Sequence, residues 1–188
     1  MNKRLTGMLG LAAATAALAA AGEARAAVTV IGGGLAEGCS KAALTGKSDR
    51  KFEELCSLAL ETELLSSRDR AGTYINRGVM KLRRMEWEGA TRDFNVAIRV
   101  KGDLGEAYVN RGAAFIGQQR YAESLTDINR GIELGVEQPA KAYYNRALAY
   151  EGVEDAKSAY FDYQKALELQ PEWDLPKQQL TRFTVTRR

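Results

Sequence analysis

Few side chains in this sequence have the chemistry of a catalytic centre. Its 188 residues include no histidine, so no imidazole can act as an acid, a base, a metal ligand or the partner of a nucleophile. The two cysteines, Cys39 and Cys56, are too far apart in sequence for a C-x-x-C redox pair. Carboxylates occur in runs such as Glu53-Glu54, which are typical of a solvated helix face. We therefore predict no enzyme activity, no cofactor and no metal site.

Two glycine-containing stretches have the appearance of nucleotide-binding loops. Gly46-Lys47-Ser48 resembles the end of a phosphate-binding loop, but that motif requires glycine where this chain has Lys41, and a helical pattern precedes it in place of a strand. The glycines at 32–34 lack the spacing and the following βαβ unit of a dinucleotide site. The sequence therefore predicts no nucleotide binding.

The first 26 residues have the layout of an export signal. Lys3 and Arg4 precede an uncharged stretch over 5–21, and Ala24-Arg25-Ala26 places small residues where a signal peptidase reads them. A membrane anchor is the alternative, but the uncharged stretch is short for a span of about 20 apolar residues. We expect cleavage after Ala26, a periplasmic protein of a Gram-negative bacterium and, after cleavage, no membrane span.

The charge of the chain depends mainly on that signal. The formal net charge is +3, and residues 1–26 contribute three basic residues and one acidic residue to it. The remaining chain has 24 basic and 23 acidic residues, a net charge of +1. This near-balance removes the electrostatic argument for a nucleic-acid partner. With 45% hydrophobic and 27% charged residues, the chain can form an ordinary folded core.

A repeat accounts for most of the mature sequence. Three stretches align without gaps, beginning at Thr73, Ala107 and Ala142, at offsets of 34 and 35 residues. Each contains Tyr-x-Asn-Arg, then small, bulky and small residues at fixed later positions, and apolar residues at helical spacing in both halves. This pattern predicts a helical hairpin whose small residues let its two helices approach closely. One hairpin cannot bury both its faces, so the units must stack.

The period and the order of small and bulky positions resemble the tetratricopeptide repeat family. The resemblance predicts an all-α superhelix with units at about 71–104, 105–139 and 140–171, within 68–170. We expect turns where periodicity breaks, around Met85, Gln119 and 152–155. Residues 172–188 would form a capping helix to about Phe183 and a tail. Three arginines that repeat in step with three aspartates are expected to form salt bridges between neighbouring helices: Arg77, Arg111 and Arg146 with Asp93, Asp127 and Asp162.

Residues 35–67 are predicted to form a further hairpin in front of the repeats, after a flexible tail over 27–34. Helical patterns over 35–44 and after Asp49 flank a turn whose centre is equidistant from Cys39 and Cys56. Residues equidistant from the turn of a hairpin lie side by side, and an exported protein is oxidised. The spacing therefore predicts a Cys39–Cys56 disulfide.

The resemblance also places a candidate binding site. In this family the first helices of the units line a concave groove, and the repeated asparagine faces it. An amide can pair with both the N–H and the C=O of a peptide, as in the similar asparagine ladder of O-linked N-acetylglucosamine transferases. An alternative role for the asparagines is hydrogen bonding within their own repeat. The candidate peptide-binding residues are Asn76, Asn110, Asn145, Ile75, Val79, Val109, Ala113, Lys141, Tyr144 and Leu148.

These residues favour a protein or peptide partner. The chain is expected to be a non-catalytic interaction module or scaffold of the cell envelope. A terminal-carboxylate clamp, known in chaperone-binding members, is incomplete because Ile75 and Val79 stand where a lysine and an asparagine, respectively, are expected. The alternative is a structural scaffold that self-associates into a homo-oligomer through its convex face or its ends.

Overall fold

The computed structural model describes residues 3–7, 26–30 and 34–187, and these residues form helices and one two-stranded sheet. The strands are β1 (Lys3–Gly7) and β2 (Phe183–Arg187). The helices are α1 (Leu35–Leu44), α2 (Arg50–Thr62), α3 (Ser67–Arg83), α4 (Trp87–Val100), α5 (Gly105–Gly117), α6 (Tyr121–Leu134), α7 (Pro139–Gly152), α8 (Ala156–Leu169) and α9 (Asp174–Leu180).

The helices pack as consecutive hairpins. Helices α3 and α4, α5 and α6, and α7 and α8 pair within the three predicted repeats, and α1 pairs with α2 in front of them. The second helix of each repeat also packs on the first helix of the next, while α3 contacts both α1 and α2. The predicted all-α stack is confirmed, and its buried apolar residues form successive clusters along the units.

The turn inside each repeat has the same backbone conformation. Met85, Gln119 and Glu154 adopt positive φ angles of 60°, 60° and 62°, at the positions where helical periodicity breaks. The following residue closes the turn, as where Glu86 N–H donates to the Lys81 carbonyl at 3.0 Å. This bond satisfies a helix-terminal carbonyl and offsets the cost of a non-glycine residue in the left-handed region.

In the first and second repeats, glycine is required where the two helices of the hairpin meet. A Cβ atom on Gly78 would lie 2.5 Å from a ring carbon of Phe94, and one on Gly112 would lie 2.5 Å from Ile128 Cγ1. Both distances are shorter than any real contact, so the bulky residue of the second helix fills the space a side chain would take. The repeated order of small and bulky residues in the sequence therefore reflects this packing between the two helices.

A second close approach joins successive repeats. The Trp87 ring lies against Gly117 at the end of α5, and the Tyr121 ring lies against Gly152 at the end of α7. A Cβ on either glycine would approach the aromatic ring to 2.5 Å or less. The aromatic residue at the start of the second helix in the first two repeats therefore fixes how closely the next repeat stacks.

The N-terminal hairpin carries the predicted disulfide. Cys39 of α1 and Cys56 of α2 are bonded, with their Cα atoms 4.9 Å apart. Both cysteines are fully buried and pack in one cluster with Ala43 and with Met80 of α3. The disulfide thus joins the two helices at the point where they cover the first repeat.

The C-terminal end differs from expectation. Helix α9 ends at Leu180, before the predicted end near Phe183, and the β-branched run over 184–186 continues as a strand. Strand β2 pairs antiparallel with β1, with Gly7 opposite Phe183. Leu180 and Phe183 nevertheless pack on the third repeat as predicted, and the Phe183 and Tyr163 ring centroids are 6.0 Å apart.

The predicted export signal falls mostly outside the described residues. Within 1–26, the structure describes β1 and Ala26. Across the described ranges, no helix has both the length and the apolarity needed to span a bilayer. Export and periplasmic location remain predictions.

The glycine contacts lead to a prediction about stability. Gly112→Val should lower the free energy of unfolding by about 1–3 kcal/mol, because the new side chain must displace Ile128 from a packed interface. Urea unfolding followed by circular dichroism at 222 nm measures this change.

Gly89→Ala is the control, because the nearest atom to a Cβ there belongs to the flexible Lys81 side chain, at 3.3 Å, and the next are ordinary contacts with Arg92 and Glu86. It should leave stability unchanged or raise it through helix propensity. Equal stability of the two variants would show that the close approach at Gly112 does not constrain the hairpin.

Candidate functional site

Residues 26–30, which we call the docked segment, are held by side chains of the concave face. The Val28 N–H donates to Asn76 Oδ1 at 2.8 Å, and Asn76 Nδ2 donates to the Val28 carbonyl at 2.7 Å. Val28 is 4% exposed. The expectation of a flexible tail over 27–34 is therefore wrong for residues 27–30, because buried hydrogen bonds and apolar contacts hold them.

The next repeat binds the docked segment in the same way. The Ala26 N–H donates to Asn110 Oδ1 at 3.2 Å, and Asn110 Nδ2 donates to the Ala26 carbonyl at 2.7 Å. Asn76 and Asn110 are one repeat apart, whereas Val28 and Ala26 are two residues apart. Pairing through both main-chain groups of every second residue is the pattern of one edge of an antiparallel strand.

Ser40 of α1 continues this ladder in front of the repeats. Its hydroxyl donates to the Val28 carbonyl at 3.0 Å and accepts from the Val30 N–H at 3.1 Å. Sequence reasoning missed Ser40 because it lies outside the repeat. The available signal was a serine beside Cys39 on a helix face that is otherwise small and apolar.

Glu63 fixes the point where the chain enters α1. Its two carboxylate oxygens accept from the N–H groups of Leu35 and Ala36, at 2.6 and 3.0 Å. A carboxylate at these otherwise unpaired amides satisfies them and interacts favourably with the helix dipole. This contact, also missed from the sequence, anchors the chain shortly after the docked segment.

Apolar contacts fill both sides of the docked segment. Val28 joins a buried cluster that contains three of the predicted site residues, Ile75, Val79 and Ala113. Ala27 joins the cluster around the disulfide, so the segment links the N-terminal hairpin to the repeats. The groove is therefore the concave surface of α1, α3 and α5 around residues 26–30.

The other predicted apolar residues belong to the core between the second and third repeats. Val109, Tyr144 and Leu148 are almost fully buried in one cluster with Tyr163. The Tyr144 ring also lies 4.9 Å, centroid to centroid, from that of Trp173. These three residues therefore belong to the core between repeats and do not form the surface that holds the docked segment.

Two further predicted residues lie on α7, the first helix of the third repeat. Asn145 is fully buried. Lys141 is half-buried, and burial, with the nearby positive charge of Arg83, lowers the pKa of its ammonium group. Helix α7 thus carries an asparagine at the position that Asn76 occupies in α3 and Asn110 occupies in α5.

The repeated arginines position the helices that carry the asparagines. Arg111 donates through Nε and one terminal nitrogen to Asp127 at 2.6 and 2.8 Å, and its other terminal nitrogen donates to Asn95 at 2.7 Å. Arg146 binds Asp162 and Asn129 in the same arrangement. Each arginine therefore joins its own helix to the second helix of its repeat and to that of the preceding repeat.

Arg77 completes the series by binding Asp93 through two nitrogens, so the three predicted salt bridges are confirmed. Burial lowers the pKa of the Arg77 guanidinium, but hydrogen bonding to Asp93 and the charge of that carboxylate raise it more. Hydrogen bonding to Asp127 likewise raises the pKa of Arg111. Such bidentate pairs fix both distance and orientation.

A cavity of 400 Å³ opens beside Val28. Its polar lining includes Arg68, Asp103 and Glu106, and Glu106 accepts from the Glu137 N–H at 3.0 Å. Nowhere in the described ranges do three or more acidic or cysteine side chains converge as metal ligands would. The arrangement around the docked segment is suited to holding a peptide main chain.

Two comparisons of the sequence with known proteins identify similar proteins. Residues 140–172 match the family model of the tetratricopeptide repeat. The Hsp70-Hsp90 organizing protein of Triticum aestivum is 35% identical over 85 residues, which are 45% of this chain. The chain spans only 14% of the length of that relative.

Three solved structures share the fold. The Arabidopsis OM64 repeat domain is 24% identical, with a TM-score of 0.58 over 62% of this chain and 96% of that one. The first repeat domain of Spaghetti (RPAP3), bound to an HSP90 peptide, is 20% identical, with a TM-score of 0.57 over 61% and 92%. MamA is 17% identical, with a TM-score of 0.62 over 80% and 82%. The hairpin stack of this chain therefore has the fold of these repeat domains, as its sequence pattern predicts.

The two asparagine pairs can be tested independently. Asn76→Ala in the full chain should speed amide hydrogen exchange at Val28 by at least about fivefold, since the loss of one buried hydrogen bond is worth about 1 kcal/mol or more. Exchange at Ala26 should change little. Residue-resolved NMR measures both rates.

Asn110→Ala provides the reciprocal control, with faster exchange at Ala26 and little change at Val28. Equal acceleration of both amides in either variant would contradict separate pairing of each asparagine with one residue.

Proposed function

We propose that this chain is a non-catalytic protein-interaction module of the bacterial cell envelope, and that it binds extended segments of partner proteins in the groove. The observation that supports this most directly is the pairing of Asn76 with Val28 and of Asn110 with Ala26. These bonds use main-chain groups alone, so any extended segment can make them.

The third repeat extends the same binding surface. Asn145 occupies in the third repeat the helix position of Asn76 and Asn110. A bound peptide that extends two residues beyond the position of Ala26, toward its own N-terminus, would bring its main chain toward the Asn145 amide. Export would also change the groove. Cleavage after Ala26 removes the residue that pairs with Asn110, which leaves this amide for the main chain of a partner.

The similar proteins supply a precedent for peptide binding but not the same chemistry. The RPAP3 repeat domain was solved with an HSP90 peptide. In this chain Ile75 and Val79 are fully buried and apolar where the carboxylate clamp requires polar groups. Recognition through main-chain amides is therefore favoured over recognition of an acidic C-terminus.

The test supplies the docked segment as a separate peptide. In the full chain, Val28→Gly together with Val30→Gly removes the side chains that seat the tethered segment. A fluorescent, end-blocked peptide Ala-Ala-Val-Thr-Val should then bind saturably in fluorescence anisotropy. Adding Asn76→Ala and Asn110→Ala should weaken binding by at least about tenfold, because up to four hydrogen bonds are lost at about 0.5–1.5 kcal/mol each.

The matched control replaces Gln164 of α8 and Gln178 of α9 with alanine. Gln164 donates to the Tyr160 hydroxyl and Gln178 is exposed, so peptide affinity should stay within about twofold, since no bond to the peptide is lost. Unchanged affinity in the groove variant would refute the proposal. A mass that rises with concentration in sedimentation equilibrium and is insensitive to the groove substitutions would favour the self-associating scaffold.

A further inference from the structure

The docked segment shows the direction in which the groove reads a peptide. Asn76 of the first repeat pairs with Val28, and Asn110 of the second repeat pairs with Ala26, which lies two residues nearer the N-terminus. A bound segment therefore runs opposite to the order of the repeats, with its N-terminal end toward the third repeat. The serine at position 40 extends this polarity to Val30.

Two valines of the docked segment lie against a glycine of the groove. A Cβ atom on Gly72, in the middle of α3, would lie 3.0 Å from Val30 Cγ2 and 3.4 Å from Val28 Cγ1. In an extended chain, residues two apart share a face, so both branched side chains point to the same part of α3. Gly72 leaves the room that these methyl groups occupy.

The position between Ala26 and Val28 accepts only a small side chain. Ala27 is 5% exposed and shares a cluster with the fully buried Cys39, Cys56 and Met80. The disulfide fixes two of these neighbours, so the cluster has little freedom to move for a larger residue. Thr29, in contrast, is exposed and carries no such restriction.

We infer that the groove selects extended segments with a small residue followed by two β-branched residues at alternate positions, and that Gly72 determines this selection. The occupant is a partner segment of the pattern small–β-branched–any–β-branched, and the docked segment is its tethered competitor. Three residues separate Val30 from Gly34, so the tether supplies a high effective concentration of competitor. This inference rests on the proposed function and specifies its ligand.

The test adds a methyl group at Gly72 and removes methyl groups from the valine of the peptide that lies against it. In the Val28→Gly, Val30→Gly full chain, Gly72→Ala should weaken binding of Ala-Ala-Val-Thr-Val by about tenfold, since overpacking by one methyl group commonly costs that much. A peptide with alanine in place of its last valine should bind the Gly72→Ala chain within about twofold of the Gly72 chain, because the methyl groups that collide are gone.

Two further peptides test the remaining features. Lysine in place of threonine should leave affinity unchanged, since this position is exposed. The reversed sequence Val-Thr-Val-Ala-Ala should bind at least about tenfold more weakly, because it presents its side chains in the wrong order. Equal weakening of the valine and alanine peptides by Gly72→Ala, or equal binding of the reversed peptide, overturns the inference.

The same contact can be tested without an added peptide. In the otherwise unsubstituted chain, Gly72→Ala should lower the midpoint of thermal unfolding by about 2–4 °C, and Val30→Ala should remove most of that difference in a double-mutant cycle. Additive effects contradict the role of Gly72. If no peptide binds any variant, the proposed function fails as well. If peptides bind with sensitivity to Asn76→Ala but without discrimination, only the selectivity fails.

Discussion

The structure depends on a match between two repeats of very different length. One step of about 34 residues along the helical array corresponds to two residues along the docked segment, so that Asn76 meets Val28 and Asn110 meets Ala26. An extended chain advances about 6.6–6.8 Å in two residues. Successive first helices must therefore present their amides at a matching interval, and the packing between units sets that interval.

Several contacts hold the interval. Glycines at 78 and 112 let the two helices of a repeat approach, and the Trp87 and Tyr121 rings against Gly117 and Gly152 fix the distance to the next repeat. The arginine next to each asparagine joins three helices through bidentate bonds. Adjacent residues of a helix point about 100° apart, so an arginine directed at the second helices leaves its asparagine neighbour directed at the concave face.

Much of this arrangement follows from local patterns in the sequence. The small and bulky positions repeat with the period of the hairpins, and the turns fall where that period breaks. The Cys39–Cys56 pairing follows from the symmetry of a hairpin, and the arginine–aspartate pairs repeat in step. Each of these signals lies within one repeat or one hairpin, where spacing along the chain determines spacing in the structure.

Contacts made by single residues over long sequence distances were not predictable in the same way. Residues 27–30 precede a run of glycines and were expected to be flexible, although their Val-Thr-Val alternation is typical of a strand with one buried face. Ser40 and Glu63 each occur at one position before the repeats, so no periodic pattern in the sequence indicates their roles. The residues of strand β2 were expected to form a tail after the capping helix, because the strand's partner, β1, lies at the opposite end of the chain.

The central claim is the register of the docked segment, with Val28 at the first repeat. Nuclear Overhauser effects in the full chain test it most directly. The structure predicts contacts from the Val28 and Val30 methyl groups to the Hα protons of Gly72, and none from those methyl groups to the third repeat. Contacts from Val28 to the third repeat, or sharp signals at random-coil shifts for residues 26–30, would contradict the account.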